Sequence, residues 1–508
     1  MCLVIEGEPA VNGEKISLNR AALAQAAAFT LLFVFAAHAF CFFNLTLSSQ
    51  SVMINAGQGI SGQIAGGRYL QAIYWRLRGE LSAPLLVGLL SALYLALGTV
   101  LAAWLLRLEK PAALFALCGA MTVNAAVLSV FAGSLHTADA GLLSMLLGMA
   151  AAACCLRVRL GIFPGAVFFA AAAGLGETGP ACGVALAAVA LARDLITGES
   201  GRRTGLRAAQ LLGALAAGAA LYDAGYRVML ARYGMGQEAA LKSMAGGGLA
   251  GAWLYPIRYL FEPLTAYPHL NVLLRVLLMA LGLLALLKIM RRMTPARGMI
   301  LLVIVLVMPF LTNLPVYARS GIGQTSLAFC FLDVFLIALL DVCPQEGPGP
   351  RIAHRMAAGA FGVLFLGGVI FSNQVYLKKN LEFQSTLSVM TRVLDRAEQA
   401  EGYRPGETPV AIVGTLEDSS LSVPHKGFEH LAALDAAQDN YAVTSEEDVT
   451  WYMWDVLGYP CNLVSSFELS ELEEREEVKS MPAYPAEGCC QWVEDTLVIK
   501  LSQGGDGR

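Results

Sequence analysis

The chain has 508 residues, 56% of them hydrophobic and only 15% charged, with a net charge of −4. Soluble domains carry nearer ~25% charged residues, so this composition points to a bilayer and excludes one large water-soluble core. Residues 1–374 hold a net charge of +10 and residues 375–508 a net charge of −14. That divides a basic membrane region from an acidic soluble one and argues against nucleic acid as a partner of the tail.

A membrane span needs roughly 20 mostly apolar residues. Apolar runs near 21–43, 83–106, 111–133, 140–156, 160–176, 179–192, 208–223, 269–290, 298–317, 324–341 and 356–374 predict eleven transmembrane helices. Several are rich in Ala and Gly, which lets membrane helices approach closely. Ala37-His38-Ala39 resembles a signal-peptidase site, but the apolar run is long for a signal peptide and predicts an uncleaved anchor.

Basic residues fall in alternate loops. Lys15 and Arg20, Arg107 and Lys110, Arg157 and Arg159, Arg193 through Arg207, Lys288 through Arg297, and Arg351 with Arg355 share one side. The positive-inside rule places that side, and the N-terminus, in the cytoplasm. Eleven spans then put residues 375–508 outside the membrane.

Two long stretches interrupt the spans on the outer side, 44–82 and 224–268. In the first, Leu70, Ile73, Tyr74 and Leu77 recur at helical spacing, and Arg68, Gln71 and Arg78 share another face. The pattern predicts an amphipathic helix on the membrane surface, exposing those polar groups. In the second, Trp253, Tyr255 and Tyr259 suit the interface, and Gly246-Gly247-Gly248 needs no reading beyond close packing.

Residues 375–508 read as a small α/β domain. Pro409–Gly414 is a buried-strand run, 448–457 and 470–480 read as helical, and Trp492 to Leu501 reads as a hairpin turning at Glu494-Asp495. The Glu-rich stretch near 471–477 is a solvated helix face. A disulfide from Cys461 to Cys489 or Cys490 is one option and free thiols the other, since the domain's three cysteines are odd in number. Their spacing carries no zinc motif.

No phosphate-binding loop with a following Lys-Ser/Thr exists, nor a His-Glu-x-x-His, a serine elbow or a Cys-His pair at useful spacing. Ionisable groups at membrane depth say more, because each is costly unless paired or wet. Asp139, close to His136, reads as a helix cap or as a catalytic carboxylate. Glu177 reads as a solvated turn residue or as a carboxylate of the same site. Arg275 and Asp333, both within spans, read as a buried structural pair or as catalytic groups, the pair being favoured. Arg68 either grips a lipid phosphate through its fork or snorkels to headgroups.

The stretch SGQIAGGRYLQAIYWRLRGELSAPLLVGLLSALYLAL, Ser61–Leu97, is similar to the first loop and second span of bacterial Gtr-type (type II) glucosyltransferases, polytopic enzymes of the GT-C class. FSNQVYLKKNLEFQSTLSVMTRVLDRAEQAEGYRPGETPVAIVG, Phe371–Gly414, resembles that family's passage from its last span to its outer domain, and SMPAYPAEGCCQWVEDTLVIKLS, Ser480–Ser502, its end. SLHTADAG resembles a family motif in which Asp follows a helix end, here Asp139.

The resemblance implies an all-α, GT-C-like polytopic membrane protein with a small α/β extracytoplasmic domain. It further implies transfer of a sugar, glucose in that family, from a polyprenyl-phosphate donor to a cell-surface glycan. Such transferases usually carry an acidic residue in the first outer loop as base. Here the aligned stretch is Ser49-Gln50-Ser51, and no Asp or Glu occurs from Ala39 to Gly79. At GLGETGP, relatives tend to have Tyr-Gln where this chain has Gly176-Glu177. The catalytic carboxylate therefore falls to Asp139 or Glu177, and donor-phosphate binding to Arg68, Gln71 and Arg78. A member that binds lipid-linked sugar without catalysis, or a transporter or flippase, are the competing classes. The large soluble cap and the lack of a visible inverted repeat argue against the last.

Overall fold

The computed structural model describes residues 19–45, 59–133, 135–235, 249–262, 264–313, 326–343, 348–444 and 446–503. Gln50 and the 246–248 glycines lie outside the described residues.

The first half of the membrane region comprises α1 (Arg20–Phe43), α2 (Ile60–Ala65), α3 (Tyr69–Arg78), α4 (Pro84–Leu105), α5 (Pro111–Thr122), α6 (Ala125–Gly133), α7 (Leu135–Arg157) and α8 (Ile162–Leu175). The second half adds α9 (Gly179–Ile196), α10 (Gly201–Arg232), α11 (Leu249–Phe261), α12 (Pro268–Met290), α13 (Pro295–Thr312), α14 (Cys330–Val342) and α15 (Pro348–Glu398). Proline sits at the start of α4, α5, α9, α12 and α13, where its missing N–H costs nothing.

Among the described residues, nine helices are long and apolar enough to cross a membrane, counting α5 and α6 as one element interrupted at Val123-Asn124. The chain is a multi-pass helical membrane protein. The other two runs expected to span are shorter helices, α8 with 14 residues and α14 with 13. At ~1.5 Å per residue each covers about 20 Å, less than a ~30 Å hydrocarbon core. Helix α10 has 32 residues and extends well past the predicted run.

Small residues bring α7 and α9 into contact. A Cβ on Gly148 would strike the Gly179 carbonyl, and one on Gly183 the Gly148 carbonyl. The bulky alternatives are excluded sterically, and backbone proximity replaces the hydrophobic driving force absent in lipid. The opposite surfaces are greasy: Leu85, Leu89, Leu93 and Leu97 of α4 are all exposed along one stripe.

One end of the bundle is tied by ion pairs. Asp194 takes Arg207 at 2.8 Å and Arg157 at 3.3 Å, and Asp341 takes Arg193 at 2.7 Å and Lys110 at 3.0 Å. These arginines and this lysine are those of the expected basic loops. Within the spans, Arg275 and Asp333 form the anticipated ion pair.

The opposite end carries the C-terminal domain. Helix α15 has 51 residues and runs unbroken through residues 374 and 375, so no flexible linker separates the two regions. His38 of α1 is buried between α15 and α5: Nε2 lies 3.0 Å from the Thr122 carbonyl and Nδ1 2.7 Å from the Tyr376 hydroxyl. A carbonyl only accepts, so Nε2 carries the proton and Nδ1 accepts from Tyr376. Higher on α15, Lys378 Nζ reaches Glu382 Oε1 at 2.8 Å and the Ala437 and Asp439 carbonyls at 2.6 Å, anchoring a capping segment beside α6.

The domain contains β1 (Pro409–Val413), α16 (Glu446–Trp451), β2 (Asn462–Leu463), α17 (Ser466–Glu473), α18 (Glu476–Ser480), β3 (Cys490–Val493) and β4 (Thr496–Lys500). The sheet order is β2-β1-β4-β3, with β1 parallel to both neighbours and β3–β4 an antiparallel hairpin. Val410 and Ile412 face a core shared with α15, and Ala411 and Val413 face one shared with α17 and α18. Burial on both faces explains the unbroken apolar run of β1. The predicted 470–480 helix is two short helices that break at Glu474-Arg475. Ser465 and Glu468 form a capping box that starts α17 earlier than expected. Cys461, Cys489 and Cys490 are free thiols, so the disulfide option is not taken.

Candidate functional site

The polar groups singled out in the first long loop gather at the end of the bundle that carries the domain. Helices α2 and α3 form a bent strap across α7, α8 and α10. Its bend is pinned from outside: Tyr226 donates to the Ala65 carbonyl at 3.2 Å and Tyr222 to the Gly67 carbonyl at 3.0 Å. Gly67 and Gly79 have positive φ, which lets the strap turn sharply before and after α3.

Helix α3 is amphipathic, but its polar face is turned inward. Gln71 and Trp75 are buried, while Ile73 and Leu77 are exposed. The apolar exposure suits contact with lipid; the polar exposure expected of Gln71 and Arg78 does not occur. The reason is a set of partners on α7. Arg78 Nη1 meets Asp139 Oδ1 at 2.6 Å, with both side chains essentially inaccessible. Tyr74 donates to Asp139 Oδ2 at 2.8 Å, and the Ala140 amide to Oδ1 at 3.0 Å. Trp75 Nε1 and Arg78 Nη2 both donate to the His136 carbonyl. Burial and the neighbouring Asp139 charge push the Tyr74 hydroxyl's pKa far above its ordinary value, so it stays a donor.

Asp139 thus has both oxygens occupied, and it lies inside α7 rather than capping it. Removing one member of such a buried pair typically costs ~3–5 kcal/mol. This cluster is a latch that seats α3.

Arg68 is different. It stands at the start of α3, and its Nη2 and Nε reach Glu177 Oε1 at 2.9 and 3.2 Å, with Nη1 3.3 Å from Gln63 Oε1. The Arg68 and Glu177 side chains remain 39% and 36% exposed. Exposed pairs of this kind contribute only ~0–1 kcal/mol, so they exchange partners readily.

Glu177 is held in place by its turn. Ser144 of α7 donates to the Ala172 and Gly176 carbonyls at 2.7 and 3.0 Å, fixing the connection between α8 and α9. A Cβ at Gly179 would collide with Ser144. The turn can sit on α7 only because that position is glycine.

The structure therefore brings Arg68 and Glu177 together, separates them from the Arg78–Asp139 pair by burial, and withdraws Gln71 from solvent. Two residues were missed in the sequence. Trp75, on the nominally polar face of α3, is fully buried, which signals that this face is covered. Glu262, one helical turn beyond Arg258, is a part-buried carboxylate at the end of α11. Burial raises its pKa, Arg258 opposes that rise, and Asp435 of the capping segment adds to it. Its signal was the i, i+4 Arg-Glu spacing in the interfacial stretch. Among the described residues, no three His, Cys, Asp or Glu side chains gather as for a metal ion. No family model, curated protein or solved structure matches the chain.

Proposed function

We propose that the chain is a membrane glycosyltransferase that moves a sugar, glucose by its resemblance to the Gtr-type enzymes, from a polyprenyl-phosphate donor to a cell-surface glycan. The observation that carries this reading is the half-exposed Arg68–Glu177 pair on a strap whose apolar side, Ile73 and Leu77, is uncovered. A cation for a lipid phosphate and a carboxylate for an acceptor hydroxyl then sit at headgroup depth.

Arg68 binds the donor phosphate through its planar fork. The anomeric carbon–oxygen bond to phosphate breaks, and the bonding pair leaves with the polyprenyl phosphate. The acceptor hydroxyl oxygen forms the new bond to that carbon, and its proton passes to Glu177. A positioned carboxylate supplies ~10²–10⁴-fold in such a step. Asp139 does not serve, because both its oxygens are committed in the latch. The bundle end bearing Asp194 and Asp341 with their arginines faces the cytoplasm in this reading, and the C-terminal domain caps the reaction on the outside of the bacterial cytoplasmic membrane.

The test is to incubate the purified protein in lipid nanodiscs with polyprenyl-phosphate glucose and an acceptor glycan, and to follow release of the lipid phosphate. Acceptor-dependent release supports the transferase. Intact donor, bound but not consumed, supports the sugar-lipid-binding alternative instead.

A further inference from the structure

We infer that Arg68 changes partner during the reaction: it holds Glu177 in the free protein and the donor phosphate in the complex, and this exchange is what frees Glu177 to act as base. The inference rests on the transferase reading above and adds a coupling that the reading does not require.

Three features of the pair lead to it. Arg68 spends two of its donors on one carboxylate oxygen, Glu177 Oε1, at 2.9 and 3.2 Å. An oxygen that accepts two guanidinium N–H bonds has its lone pairs engaged and is not open to a hydroxyl proton. A phosphate offers the same fork two oxygens and more charge, so it competes for the same donors. The two groups cannot both occupy the fork, so binding the donor releases the carboxylate.

The surroundings favour exchange over collapse. Gln63 Oε1 accepts from Arg68 Nη1 at 3.3 Å and lies on α2, which Tyr226 holds through the Ala65 carbonyl. The guanidinium thus keeps one tether when Glu177 leaves. Glu177 swings from a turn that Ser144 fixes independently of Arg68. The neighbouring pair shows the contrast: Arg78 and Asp139 are closed off from solvent, and no incoming phosphate reaches them without unseating α3.

The consequence is opposite signs in binding and turnover. Glu177→Gln removes the competitor for Arg68, so polyprenyl phosphate binds about two- to fivefold tighter, the worth of an exposed pair, while lipid-phosphate release is lost. Binding is read with polyprenyl phosphate in nanodiscs, so no turnover complicates it. Glu177→Asp, which keeps the charge on a shorter arm, binds at wild-type strength or slightly tighter. A variant that lost turnover with unchanged or weaker phosphate binding would overturn the exchange and leave Glu177 as base. A variant that bound tighter yet kept turnover would preserve the competition and remove Glu177 from the chemistry, so the two failures are distinguishable.

Discussion

Arg78 Nη1 and Asp139 Oδ1 lie 2.6 Å apart with both side chains shut off from solvent, whereas the Arg68–Glu177 pair, at the other end of α3 on the same strap, is more than a third exposed. The two pairs contain the same chemical groups and differ in what surrounds them. Burial makes the first a structural fastening, and exposure leaves the second available to a ligand.

Breaking the fastening unseats the strap. Asp139→Ala leaves a buried guanidinium without its counter-charge and lowers stability by about 3–5 kcal/mol. Pairing it with Arg78→Met restores part of that loss, because no buried charge remains. Thermal unfolding of the detergent-solubilised protein checks both; a double-variant loss equal to the sum of the Asp139→Ala and Arg78→Met losses would mean that the pair is not coupled.

Donor binding depends on the exposed arginine. Arg68→Ala weakens polyprenyl-phosphate binding by about 1.5–3 kcal/mol, the range for a lost charge-assisted hydrogen bond. Unchanged affinity in a nanodisc titration would return Arg68 to a headgroup-snorkelling role.

Sidedness follows from Arg107, Lys110, Arg157, Arg193 and Arg207 at the end opposite the domain. A reporter fused after Leu501 is active when it requires an extracytoplasmic location and silent when it requires the cytoplasm. The reverse pattern would invert the whole arrangement.

In the C-terminal domain, burial raises the Cys461 thiol to about 11. Since the folded protein favours the neutral thiol, this contribution to stability is complete below the unfolded value near 9 and fades as pH rises toward about 11. Alkylation of Cys461 in the native protein is therefore slow at pH 7.5 and accelerates over that alkaline window. Rapid native labelling at neutral pH would contradict its burial.

Much of this architecture is legible in the residues themselves. Every apolar run expected to span corresponds to a helix, and the strand at Pro409–Val413 and the hairpin turning at Glu494-Asp495 fall where the pattern places them. Hydropathy reports apolar length, but α8 covers only Ile162–Leu175 and α14 starts at Cys330, after a 3-10 turn at Leu327–Phe329. The candidate site was readable only in part. Spacing put Arg68, Gln71 and Arg78 on one face, but spacing does not say whether a face meets water or Asp139. That depends on a partner 61 residues further along the chain. Trp75, on the same face, was the available warning.

The account stands most directly on the turnover of Glu177→Gln with polyprenyl-phosphate glucose and an acceptor glycan, measured beside wild type. Glu177 is the exposed carboxylate of the pair, and its neutral amide takes up no proton. The predicted result is a fall of about 10²–10⁴-fold in lipid-phosphate release with the fold intact by thermal unfolding. Release at the wild-type rate from a folded Glu177→Gln protein would contradict it.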